Sequence, residues 1–103
     1  MKSLLFVLGM VVSSGVLADV NASSLTQKNA CMSCHSVDKK VVGPSFKDIS
    51  AKYSNDATAV DKLSKSIKLG SKNNWSSVPM PPMGAMVSDE SIKVIVSWIL
   101  TLK

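Results

Sequence analysis

Cys31-Met32-Ser33-Cys34-His35 gathers both cysteines and the single histidine of a 103-residue chain into five consecutive positions. Two thiols three positions apart, followed at once by an imidazole, form the attachment pattern of a c-type haem. The thiols can reach vinyl groups on neighbouring pyrroles and form thioethers, while the imidazole of the next residue falls beneath the iron as its proximal ligand. Other uses of these residues fit less well. A disulfide between Cys31 and Cys34 would close a strained, reducible loop. A thioredoxin-like dithiol needs a βαβ pattern around it, and none is visible. Structural zinc needs four ligands, and the chain offers two thiolates and one imidazole.

Iron held by His35 on one side leaves methionine, lysine, water or nothing for the other, since the chain has no second histidine. The segment Val78-Pro79-Met80-Pro81-Pro82-Met83-Gly84-Ala85-Met86 bears on that choice. Each proline locks φ near −65° and pushes its predecessor towards extended geometry, so Met80 sits on a stiffened strap. A rigid backbone lowers the ordering entropy that a flexible thioether loses on binding metal. Met83 and Met86 compete for the role, but they lie beyond the double proline in a stretch loosened by Gly84, where packing or exposure is expected. Three methionines at every third position also suit soft Cu(I), a minor alternative.

Four helices account for the elements that must position these groups, and no strand is evident. Ser23 or Ser24 caps a first helix running through Leu25 to about Met32, straight into the Cys-His motif. Val41-Val42-Gly43-Pro44 is a loop, because Pro44 restricts Gly43. A short second helix from Ser45-Phe46 to Tyr53 sets Phe46, Ile49 and Tyr53 on one face. The third runs from about Ala57 to Leu69, with Val60, Leu63 and Ile67 at helical spacing and Gly70 as its stop. Ser88 caps the last, with Asp89 and Glu90 at its positive end and Ile92, Ile95, Val96 and Ile99 at i, i+3, i+4, i+7. Trp98 and Leu102 widen that apolar face. The expected class is all-α.

Residues 1–18 have the form of a cleaved export signal: Lys2, an apolar run from Leu4, and Val16-Leu17-Ala18 at the cleavage site. The uncharged stretch Ser3–Ala18 is 16 residues, short of the roughly 20 that span a bilayer. The remaining domain, residues 19–103, is too small to bury a large core, and a central haem plate would supply what it lacks. The chain has a formal charge of +5, with all twelve basic residues lysine. Without arginine, and with few aromatics, it lacks the equipment for nucleic-acid binding. Lys28, Lys39, Lys40 and Lys47 flank the haem motif and are candidates for docking acidic redox partners; Lys65, Lys68 and Lys72 read first as a solvated face. No nucleophile, acid–base pair or substrate cleft is apparent, so an enzyme is not expected.

Taken together, Cys31–His35, then Val42-Gly43-Pro44, then Trp75 ahead of Val78-Pro79-Met80-Pro81-Pro82, and finally Val87-Ser88-Asp89 with Trp98 resemble the small bacterial class I cytochromes c, of the cytochrome c-551 type. The resemblance covers essentially all of residues 19–103. It implies the class I cytochrome c fold, about four short helices wrapped around one haem c attached through Cys31 and Cys34. It also implies Met80 as distal ligand to His35, a Pro44 carbonyl accepting the imidazole N–H, and a Trp75 indole donating to a haem propionate. Where the family often sets a basic residue against the propionates, this chain has Ser66, with Lys65 beside it. Ala30 stands where a glycine often permits close helix crossing. The implied function is that of a periplasmic monohaem carrier, monomeric, passing electrons by outer-sphere transfer between respiratory partners such as a dehydrogenase and an oxidase, nitrite reductase or peroxidase.

Overall fold

The computed structural model describes the backbone of residues 14–103, and side chains from Asn21 onwards. The expected leader, residues 1–18, therefore lies outside the described residues except for its last five backbone positions. Four α-helices follow one another: α1 (Ser14–Lys28), α2 (Phe46–Tyr53), α3 (Ala59–Leu69) and α4 (Asp89–Ile99). A single 3-10 turn, Cys31–Ser33, separates α1 from the rest. Among the described residues the only β-type pairing is two isolated bridges, His35 with Lys40 and Ser71 with Met80. None of these helices is long and apolar enough to cross a membrane. The fold is all-α, as expected.

The boundaries of two helices, α1 and α3, differ from expectation. Ser23 and Ser24 lie inside α1 and cap nothing at its start, and the helix ends at Lys28 rather than near Met32. Asn29 N makes the last regular helical bond, to Leu25 O at 3.1 Å, and its side-chain Nδ2 adds a second donor to the same carbonyl at 2.9 Å. The helix breaks at the next residue, where Ala30 turns left-handed at φ 61° and its N–H reaches only to Gln27 O at 3.3 Å. Helix α3 starts two residues later than read, because Asp56 first captures Thr58. Its Oδ1 accepts from Thr58 N at 2.8 Å and from Thr58 Oγ1 at 2.6 Å, while Oδ2 accepts from Lys62 Nζ at 2.7 Å. These donors hold the Asp56 carboxyl down at about 2, with the Lys62 hydrogen bond the largest cause.

The other two helices begin where their caps predict. Ser45 Oγ accepts from Asp48 N, and Ser88 Oγ from Ser91 N. The stripe Ile92, Ile95, Val96 and Ile99 on α4 is fully buried against Phe46 and Ile49 of α2 and Leu63 of α3. Each such side chain contributes roughly 1.5–3 kcal/mol on leaving water. Helix α1 packs on α4 as well, with Ala22 and Thr26 buried. Ser50 Oγ reaches across from α2 to Leu100 O at 3.2 Å and fixes the C-terminus of α4 to it. The framework leaves a large void among the described residues, and the chemistry-bearing residues surround it.

Candidate haem cleft

A cleft of about 1130 Å³, counting the part open to solvent, lies between two stretches of chain and the core face of α4. Cys31, Cys34, His35 and Pro44 line it from the first stretch; Trp75, Met80 and Met83 line it from the second. Every site residue read from the sequence therefore borders one cavity. Met86 does not, and it stands largely exposed, so the three evenly spaced methionines do not converge as a copper site would require.

The first stretch is held by hydrogen bonds among near neighbours. His35 N donates to Cys31 O at 2.9 Å, Gly43 N to Cys34 O at 2.7 Å, and Phe46 N to Ser36 O at 2.9 Å. His35 Nδ1 lies 2.8 Å from Pro44 O. A carbonyl can only accept, so Nδ1 carries the hydrogen of this bond, which points Nε2 into the ligand role in the neutral ring. Phe46 stacks on the imidazole with centroids 5.3 Å apart and planes 21° apart, and Trp98 meets Phe46 edge-on at 5.7 Å. A Cβ at Gly43 would come 2.6 Å from His35 Cε1. Gly43 is thus required by the closeness of backbone to ring. The sequence contains a trace of this in Gly43-Pro44, but steric demand from a side chain eight residues away cannot be read from spacing.

The second stretch hangs from the end of α3. In Pro79-Met80-Pro81-Pro82 only Met80 has a backbone N–H, and it donates to Ser71 O at 2.9 Å while Ser71 N returns a bond to Met80 O at 3.1 Å. Met83 N and Gly84 N then donate to Ile67 O and Lys68 O, at 2.8 and 3.1 Å. Those carbonyls belong to the last turn of α3 and have no partner within the helix. The strap and the helix end satisfy each other. Gly70, at φ 79°, makes the reversal possible, and a Cβ there would sit 2.7 Å from Met80 O. Ser71 was not singled out from the sequence, since nothing in its local pattern marks a partner nine residues on.

Cys31 and Cys34 form no disulfide with each other. Burial pushes the Cys31 thiol above its ordinary value, and the neighbouring Cys34 adds to this, against a backbone hydrogen bond that lowers it. No carboxylate, lysine or arginine side chain lines the cleft among the described residues. Two cysteine sulfurs, an imidazole oriented by Pro44 O, thioethers and an apolar wall form a donor set and a cavity that fit a haem, with attachment at Cys31 and Cys34. Trp75 is 41% exposed at the rim, with Lys52 Nζ 4.5 Å from its ring centroid.

Comparison with known proteins agrees with this chemistry. The family model described as cytochrome c matches residues 20–103. Cytochrome c-551 of Pseudomonas denitrificans is 51% identical over 79 residues, covering 77% of this chain and 94% of that protein. Cytochrome c-551 of Allochromatium vinosum is 46% identical over 93 residues, with coverage of 90% and 95%. The crystal structure of Nitrosomonas europaea cytochrome c552 superposes with a TM-score of 0.75 at 48% identity, covering 79% of this chain and 99% of that one. The chain therefore belongs to the cytochrome c family, as a small class I member that carries electrons on one haem c fixed through Cys31 and Cys34.

Proposed function

We propose that this cytochrome is a periplasmic shuttle whose iron is bound axially by His35 and Met80, and which exchanges electrons with respiratory partners by outer-sphere transfer. The observation that carries the reading is the meeting of His35 and Met80 on one cleft from two separately fastened segments. When bound, the haem supplies an iron that alternates between two oxidation states. Everything else falls to the polypeptide. Pro44 O fixes the imidazole tautomer and makes Nε2 a better donor. The Ser71 pairing and the flanking prolines hold the Met80 thioether in place, and a neutral sulfur ligand in an apolar wall favours the reduced state. With His35 and Met80 both holding the iron, no position would be left for a substrate, which is why we read the protein as a carrier and not an enzyme. The charged start and apolar run of residues 1–18 support export with cleavage after Ala18, leaving residues 19–103 as a monomeric domain.

Replacement of Met80 by Ala tests the ligand assignment. The weak long-wavelength absorption of thioether-bound ferric haem is expected to vanish in Met80→Ala, and the iron to accept added small ligands. Met83→Ala is expected to retain the band. The opposite pattern transfers the role to Met83, and an iron already open in the wild type replaces the shuttle reading with that of a haem enzyme or gas sensor. N-terminal sequencing of the protein recovered from the periplasmic fraction checks the compartment and the cleavage position.

A further inference from the structure

Polar groups are unevenly distributed around the cleft. Ser66, Ser71, Asn73, Asn74 and Ser76 all come from one run of eleven residues, whereas the remaining wall is apolar apart from the cysteines, His35 and Tyr53. A haem carries two carboxylates, and anions are stable only where hydrogen-bond donors or water can reach them. The Ser66–Ser76 rim is the edge that offers both. None of its cleft-lining members is cationic, so a compensating charge must come from elsewhere.

Lys52 supplies one from the last turn of α2. Its ammonium donates to Asn74 O at 3.3 Å and lies 4.5 Å from the centre of the Trp75 ring. It also stands 5.7 Å from the ring of Tyr53. These contacts join a helix on one side of the cleft to the rim on the other. At its base the rim is fastened by the Ser71–Met80 pairing; nearer the tip, Asn73 turns left-handed at φ 61°. Lys52 is exposed, but the ring face and the Asn74 carbonyl hold its ammonium in one place beside the rim.

We propose that Lys52 is a positioning residue for the carboxylate edge of the haem: it closes the Asn73–Ser76 rim over that edge and contributes the positive charge the cleft wall lacks. The proposal rests on the haem-bearing reading of the cleft, but not on which sulfur completes the iron's coordination. A cation near the haem favours the less positive iron, so removing it lowers the potential.

The test compares holoprotein carrying Lys52→Gln, Lys52→Arg or, as a control of equal charge change on α4, Lys93→Gln. At a fixed ambient potential the Fe(II)/Fe(III) ratio is expected to fall on the order of threefold in Lys52→Gln, ~28 mV at ~59 mV per tenfold for one electron. Lys52→Arg is expected to restore most of it, and Lys93→Gln to leave it nearly unchanged. Hydrogen exchange at the Trp75 indole N–H, followed by NMR in the diamagnetic ferrous state, is expected to quicken in Lys52→Gln alone. Unchanged potential and unchanged exchange in Lys52→Gln overturn the proposal, as does an equal shift in Lys93→Gln. The ferric thioether band, recorded on the same samples, reports axial ligation separately.

Discussion

Gly43 lies so close to His35 that the site depends on a hydrogen atom where other residues carry a methyl. A Cβ at that position would stand 2.6 Å from Cε1 and 3.0 Å from Nδ1, both inside the contact distance of carbon and nitrogen. The ring cannot swing away freely, because Phe46 stacks on it and Pro44 O holds Nδ1. Gly43→Ala is therefore expected to destabilise the holoprotein by about 1–3 kcal/mol, the usual cost of overpacking, and to lengthen the His35–Pro44 hydrogen bond. Thermal unfolding measures the first, and the chemical shift of the Nδ1 proton the second. The Cys-His motif and the proline-stiffened segment around Met80 were legible from residue types and spacing, whereas the place of the Pro44 carbonyl came only from the family resemblance. Gly43's contact, the Phe46 stack and Lys52's hold on Trp75 were not, because each joins residues whose positions are fixed only by packing.

At the scale of elements, α2 and α4 were legible because serine caps and apolar periodicity coincide at both. The join between α1 and the haem motif was not. Asn29 makes the last helical bond of α1 to Leu25 O and doubles it with its side-chain Nδ2, a local feature that hydrophobic periodicity does not register. Ala30 then adopts φ 61° and ψ 20°, a conformation that suits glycine and costs an L-residue about 1–2 kcal/mol. Glycine gives up part of that gain through its freer unfolded chain. Ala30→Gly is accordingly expected to stabilise the protein by about 0.5–1 kcal/mol, or roughly 2–8 °C in Tm for a domain of this size. Scanning calorimetry of the two holoproteins checks it, and a fall in Tm would show that the turn is set by something other than the backbone of residue 30.

Across the whole molecule, ion pairing thins the candidate docking charge. Lys47 pairs with Asp38 at 2.6 Å and Lys68 with Asp89 at 3.0 Å, so neither presents a free positive field. Lys39 and Lys40 are exposed and take part in no described ion pair. Reduction by an acidic partner is expected to slow with rising salt, as surface charges are screened beyond about 10 Å at 0.1 M. Lys39→Glu and Lys40→Glu should each lower the second-order rate several-fold at low salt, and Lys47→Glu by less; stopped-flow mixing across a salt series measures all three. The backbone bonding of the cleft has a different consequence. Residues 31–47 bond among themselves, residues 67–84 do the same, and no described backbone hydrogen bond links the two groups. The two stretches are fastened independently, so breaking the Ser71–Met80 pairing is expected to loosen the proline-bearing segment while the hydrogen bonds around His35 stay as they are.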